Sequence, residues 1–75
     1  MATPEEKVRD DLVVRIAKNV RALRAKAGLT QEEMRDHGFN YRYYQELEAG
    51  DAAPNLLTLV KLAIAFKVDV KDLLR

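Results

Sequence analysis

The sequence predicts an all-α fold, a compact bundle of five helices. Apolar residues recur at spacings of three or four in successive segments, which is the period of a helix buried on one face. Residues that cap helix N-termini precede these segments, and glycines follow several of them. The connections between segments are short, about two to six residues, as is usual in small helical bundles.

The first predicted helix is long and amphipathic. Thr3 is placed to cap it, Pro4 suits the first helical position, and Glu6 completes a capping box with Thr3. Gly28 ends it, where a left-handed residue closes a helix. The apolar face of this helix comprises Val8, Leu12, Ile16, Val20, Leu23 and Ala27.

The second predicted helix is short. Thr30 can cap it and Glu33, three residues later, completes a second capping box. Acidic residues in this first turn also suit the helix dipole. Met34 is its one clear apolar anchor, and Gly38 breaks it.

The third predicted helix begins at its cap, Asn40, and stops at Gly50. Tyr41, Tyr44 and Leu47 lie at helical spacing, and we expect Tyr44 in the core. The side chains expected to point outward are Tyr41, Arg42, Gln45 and Glu46.

The fourth predicted helix is capped by Asn55, and Asp69 can cap a final helical turn at 71–74. So many apolar residues in one helix predict that it is central and mostly buried. They are Leu56, Leu59, Val60, Leu62, Ala63 and Phe66.

Length and composition exclude several classes of protein. The chain has 75 residues, which predicts a single domain over 1–75 without a deep substrate cavity. It has no cysteine and one histidine, His37, so we expect no disulfide, metal site or other cofactor. The N-terminal residues are acidic and no apolar run could cross a bilayer, so we expect a soluble, cytoplasmic protein without a signal peptide.

The net charge of +1 is uninformative, but its distribution is uneven. Residues 12–31 contain no acidic residue, whereas acidic residues flank this stretch on both sides. The stretch is either a solvated helix face or a positive surface that meets phosphate. Its basic residues are Arg15, Lys18, Arg21, Arg24 and Lys26.

Several segments, in the right order, resemble the phage-repressor-like (Cro-type) helix-turn-helix family. They are Gly28-Leu29-Thr30-Gln31-Glu32-Glu33-Met34, then Leu47-Glu48-Ala49-Gly50, then Pro54 followed by Leu56, Leu59 and Leu62. The resemblance covers about 16–74. It implies a compact five-helix bundle of the lambda-repressor-like DNA-binding type, with a helix-turn-helix core at about 30–49. Residues of about 4–15 would then extend the first helix.

The resemblance also implies roles for individual residues. Asn40, Tyr41, Arg42 and Gln45 match positions that face the major groove, and Tyr43 matches its edge. Gln31 matches a phosphate contact, which its place at a helix start favours independently, and Lys26 is expected to act similarly. Arg24 and Glu48 match a structural ion pair between the first and third helices.

The sequence departs from the family at two turns. Three residues separate Met34 from Gly38, where the family usually has four, so we expect a different turn there. Lys67 stands where the family commonly has glycine, and a left-handed lysine costs about 1 kcal/mol unless that turn is built differently.

The resemblance implies a sequence-specific transcription regulator that binds double-stranded DNA as a homodimer, since one module this small binds weakly. The alternative is a protein-interaction module that kept the fold without DNA binding, which the acidic Glu46 and Glu48 favour. No nucleophile and base are paired, so we expect neither an enzyme nor a small-molecule substrate. Candidate dimer residues are Val8, Leu12, Leu57, Val68, Val70, Leu73 and Leu74.

Overall fold

The computed structural model describes all 75 residues, and its regular structure is entirely helical. Three elements are α-helices: α1 (Pro4–Lys26), α2 (Tyr41–Ala49) and α3 (Leu56–Phe66). Two more are short 3₁₀ helices, Glu32–His37 (helix 32–37) and Val70–Leu73 (helix 70–73). The prediction of an all-α fold is confirmed, but five α-helices were too many, because the second and fifth segments are wound more tightly.

The predicted cap residues set the starts of the helices. Each of four cap side chains accepts a hydrogen bond from the backbone amide three residues later. The distances are 3.2 Å at Thr3, 3.2 Å at Thr30, 3.1 Å at Asn40 and 2.8 Å at Asn55. The carboxylates of Glu6 and Glu33 in turn accept hydrogen bonds from the backbone amides of Thr3 and Thr30, which completes both predicted capping boxes.

Helix 32–37 explains how the chain accommodates a short segment before Gly38. A 3₁₀ helix rises about 2.0 Å per residue against about 1.5 Å in an α-helix, so six residues span about the length of eight α-helical residues. Met34 remains fully buried at its centre. Gly38 ends it with a φ of +86°, a conformation that glycine adopts without strain. The tighter winding therefore offsets the shortening of this segment.

The turn after α3 has the left-handed backbone conformation that usually requires glycine, although Lys67 occupies it. Lys67 has φ 58° and ψ 45°, and it is the only residue other than glycine with a positive φ. Its amide donates to the carbonyl of Ile64 at 3.3 Å, and the Val68 amide donates to Ala63 at 3.0 Å. The chain thus closes α3 in the ordinary left-handed way, with a strained residue.

All five helical elements contribute to one core. Five side chains are fully buried, and each comes from a different element: Val20, Met34, Tyr44, Leu62 and Leu73. Leu73 is therefore not available for a dimer contact, contrary to the sequence-based expectation. Because every element supplies one of these side chains, no single element can bury its apolar side chain without the others.

The N-terminal half of α1 projects beyond this core. Ile16 is the first buried residue of the helix, whereas Val8 is exposed and Leu12 is half-buried. The projecting turns, Pro54, Leu59 and Leu74 enclose an open apolar groove. The Cα trace consequently extends 39 Å along its longest axis and 24 and 19 Å along the other two.

Candidate nucleic-acid interface

The inner face of α2 is fixed by aromatic and aliphatic packing. Tyr44 and Leu47 are buried, as is Phe39 in the turn before the helix. The Phe39 and Tyr44 rings meet edge to face with centroids 5.5 Å apart. From α3, Lys61 donates to the Gly38 carbonyl at 2.7 Å, and its ammonium lies 4.9 Å from the Phe39 ring centroid. The orientation of α2 is thus set from its buried side.

The outer face of α2 is polar and open to solvent. The Arg42 side chain is 91% exposed, and Gln45 is also exposed one turn later. Glu46 lies 3.6 Å from the Arg42 guanidinium. Such an exposed pair contributes little to stability, about 0.3–0.5 kcal/mol at this spacing, so it does not hold Arg42 in place. Arg42 and Gln45 are therefore free to contact a ligand that approaches this face.

Tyr41 is half-buried at the start of α2, and its side chain joins α2 to helix 32–37. Its hydroxyl donates to Glu32 at 3.2 Å, and the Arg35 guanidinium lies 4.6 Å from its ring centroid. Desolvation and then the bond to Glu32 raise the pKa of Tyr41. The pKa of Glu32 is lowered by hydrogen bonds, first from its own backbone and then from Tyr41. Tyr41 is thereby held at the start of α2 while it remains partly exposed.

Asn40 and Tyr43 are both engaged with the protein. Asn40 is exposed, and its side-chain oxygen accepts the Tyr43 amide as the helix cap. The half-buried Tyr43 packs against the core, with its hydroxyl 3.5 Å from the Thr58 hydroxyl near the start of α3. The side-chain nitrogen of Asn40 makes no hydrogen bond within the protein, whereas Tyr43 mainly packs against the core.

Arg24, Glu48 and Gln31 form one network that joins α1, α2 and the start of helix 32–37. Arg24 donates to both carboxylate oxygens of Glu48, at 2.6 and 3.2 Å, and to the Leu29 carbonyl at 2.9 Å. Gln31 donates its side-chain amide to Glu48 at 2.9 Å. Glu48 is 3% exposed, so these donors replace the water it loses on folding.

This network shifts the ionisation of both charged partners. Burial alone would raise the pKa of Glu48, but the hydrogen bonds that it accepts, first among them the one from Arg24, outweigh burial and lower it. The bond to Glu48 likewise raises the pKa of Arg24. Both groups are therefore held in their charged forms, and the pair ties α1 to α2.

Basic side chains of α1 lie beside this network. Arg21 donates to the backbone carbonyl of Glu48 at the end of α2. Lys26 is exposed in the last turn of α1, and Arg15 and Lys18 are exposed further up the helix. Lys26 has no salt bridge within the chain, so its charge faces solvent.

The predicted site residues separate into two groups. Arg42, Gln45 and Lys26 point to solvent without a strong partner. The others hold bonds within the protein, namely Gln31 to Glu48, Asn40 to Tyr43, Tyr41 to Glu32 and Tyr43 near Thr58.

Sequence reasoning missed two residues that position α2, Arg35 and Lys61. Arg35 contacts Tyr41 six residues later, and Lys61 contacts Gly38 from another helix, 23 residues away. Neither spacing is a periodic helical signal, so the local pattern could not indicate these contacts. The charge of each residue was the only available clue.

The structure contains neither a cluster of metal ligands nor a helix that could span a membrane. No three His, Cys, Asp or Glu side chains cluster so as to hold a metal ion. No helix has the length and apolar character needed to cross a membrane.

Comparison with known proteins identifies the arrangement. The family model described as "Helix-turn-helix" matches residues 20–73. The chain is also 39% identical over 59 residues to "Uncharacterized HTH-type transcriptional regulator y4dJ" of Sinorhizobium fredii (strain NBRC 101917 / NGR234), covering 77% of each protein. No solved structure matches the chain significantly. The matched span contains helix 32–37, the glycine turn and the outward-facing α2, and the chain therefore belongs to the helix-turn-helix family.

Proposed function

We propose that the protein is a sequence-specific DNA-binding transcription regulator that acts as a homodimer, with α2 as the recognition helix in the major groove. The observation that carries this proposal is the two-sided character of α2. Its inner face is locked by Phe39, Tyr44 and Leu47, while Arg42 and Gln45 project freely from its outer face. A rigid helix with long polar side chains is what direct reading of base edges requires.

The dimensions of α2 suit a major groove. An α-helix is about 10–12 Å in diameter with its side chains, and the major groove is about 12 Å wide and admits one helix. Arg42 can donate two hydrogen bonds to a guanine, and Gln45 can pair with an adenine. The two residues are adjacent on the outer face, so they would read neighbouring base pairs.

Two other predicted contacts would position the domain on the phosphate backbone. The Gln31 side-chain amide has two N–H groups, and one suffices for its bond to Glu48. The second can donate to phosphate, as can the Lys26 ammonium, and such contacts carry affinity without sequence information. Asn40 and Tyr41 would face the groove beside the base-reading residues, and Tyr43 would lie at its edge.

The alternative function is a protein-interaction module without DNA binding. It is favoured by acidic residues on the outer face of α2 and just beyond its end, where Glu46 and Asp51 line the same shallow depression as Arg42 and Gln45. Phosphate would be repelled by these carboxylates, whereas a basic protein surface would be attracted to them.

A salt titration of binding to random-sequence duplex DNA separates the two functions. A DNA-binding protein releases counterions from the duplex, so its affinity should fall steeply as salt rises. Lys26→Ala should weaken binding to all sequences and reduce the salt slope by about 1, because it removes one phosphate contact. Absence of binding at low salt would contradict the DNA-binding function and favour the alternative.

A further inference from the structure

The exposed side of α3 is an apolar face that nothing in the chain covers. Leu56, Leu57, Val60 and Ile64 are exposed by 71, 67, 37 and 71%. At 100° per residue they occupy about 100° of the helix surface, opposite the buried residues Leu62 and Phe66. Contiguous apolar surface of this kind marks an interaction site on a soluble protein. We call these four residues the α3 face.

We propose that the α3 face is the dimer interface, and that its occupant is the α3 face of a second copy packed antiparallel about a two-fold axis. This inference rests on the proposed function, because that function requires two copies of the chain to bind DNA together. The only charged residue within α3 is Lys61, which turns away from the face to donate to the Gly38 carbonyl. Two identical copies therefore meet without like-charge repulsion inside the contact.

An antiparallel arrangement follows from the order of residues along α3. With Val60 near the two-fold axis, Leu57 of one copy lies opposite Ile64 of the other, since each is three or four residues from the centre. Lys67, just beyond the helix, then lies at opposite ends of the contact in the two copies. A parallel arrangement would bring both ammonium groups together.

The size of the face indicates a weak dimer. Four largely exposed aliphatic side chains offer on the order of 400 Å² per copy, about half of what a standard interface buries. A contact of this size is weak, with a dissociation constant expected between about 1 μM and 1 mM, and binding to two DNA half-sites would stabilise the pair further.

The α3 face leaves the outer face of α2 open. Leu62 and Phe66 of α3 turn toward the core that α2 enters through Tyr44, whereas the α3 face lies on the opposite, exposed side of α3. A second copy on the α3 face therefore does not occupy Arg42 or Gln45, which project from α2.

Sedimentation equilibrium of the full chain from about 1 μM to 1 mM, the range expected for a small interface, tests the pairing. The native chain should dimerise, and Ile64→Glu should remain monomeric across the range. Val14→Glu is the matched control, because Val14 is 65% exposed on α1 outside the α3 face, and it should dimerise like the native chain. A monomeric native chain at 1 mM, or an Ile64→Glu variant that dimerises like the native chain, would overturn the proposal.

A mixture of Leu57→Lys and Ile64→Glu tests the antiparallel register. Each variant alone should be monomeric. The mixture should associate at least about tenfold more tightly than either, because the ammonium introduced in one copy would face the carboxylate introduced in the other. A mixture that stays monomeric would overturn the antiparallel pairing. Both substituted positions are exposed, and circular dichroism of each variant should match that of the native chain.

The salt titration on the same variants separates this inference from the proposed function. Ile64→Glu leaves α2 untouched, so it should retain salt-dependent binding to random DNA. Salt-dependent DNA binding by a native chain that never dimerises would overturn the α3 pairing and leave DNA binding intact. A native chain that dimerises through the α3 face without binding DNA would support the pairing and contradict the DNA-binding function.

Discussion

Arg42 is the residue on which the proposed reading of sequence depends most. Because its side chain is 91% exposed and has only a weak partner in Glu46, its removal should leave the folded structure unchanged. Arg42→Ala should relax the preference at one base pair by about 1–3 kcal/mol, the discrimination expected of one bidentate contact. Binding to a panel of duplexes that differ at single positions measures this effect. An unchanged preference would show that α2 does not read bases through Arg42.

Glu48 should make stability depend on pH in the acidic range. Its pKa is lowered in the folded chain from an ordinary value of 4.5, so its contribution is complete above about pH 4.5 and is lost as the pH falls through the folded value. Glu48→Gln should cost roughly 2–3 kcal/mol at pH 7, because Arg24 loses its charged partner. The cost should shrink as the native carboxylate becomes protonated.

Urea unfolding of the native chain and of Glu48→Gln at pH 7 and at about pH 3 measures this linkage. Glu46→Gln is the control, because its ion pair is exposed and should change stability by less than about 0.5 kcal/mol. If the free energies of unfolding of the native chain and of Glu48→Gln differ by the same amount at both pH values, Glu48 is not the source of the pH dependence.

At the scale of elements, the starts of the helices were predictable because their signals are local. A cap such as Asn40 or Asn55 bonds to an amide three residues away, and both partners lie in one short stretch of sequence. The winding of helix 32–37 was not predictable in this way. Met34 is fixed in a core that is assembled from all five elements, so no local pattern of residues records how this segment winds.

The candidate site shows the same division between local and distant signals. The outward direction of Arg42 and Gln45 follows from helical spacing alone. By contrast, the bond between Gln31 and Glu48 joins residues 17 positions apart, so spacing could not indicate that the Gln31 amide is already engaged. The burial of Leu73 was missed for a similar reason, since an apolar residue near the chain end suits a dimer contact and a core equally well.

The end of α3 offers a test of backbone strain. Lys67→Gly should raise the free energy of unfolding by about 1 kcal/mol, because glycine adopts a φ of 58° without the cost that a Cβ imposes. Lys67→Ala removes the same side chain but keeps the Cβ, so it should show no comparable gain. Urea denaturation of the three proteins measures both effects. Equal stabilisation by both substitutions would point to the lysine charge instead of the backbone.

At the scale of the whole molecule, one small core holds the elements of the candidate interface in place. A 75-residue chain has a small free energy of unfolding. A ligand that binds only the folded form should therefore raise its unfolding midpoint strongly. Both α2 and helix 32–37 depend on this core through Tyr44 and Met34, and neither could present its polar face without it.

Duplex DNA should therefore raise the thermal midpoint of unfolding at low salt. DNA at about 100 times its dissociation constant stabilises the folded chain by about 2.7 kcal/mol, which raises the midpoint by about 10–20 °C for a domain of this size. The same DNA at about 1 M salt should give almost no shift, because screening removes the phosphate contacts. Thermal denaturation followed by circular dichroism at both salt concentrations measures the difference. A shift that persists at high salt would mean that contacts other than phosphate dominate binding, and no shift at low salt would favour the protein-interaction function.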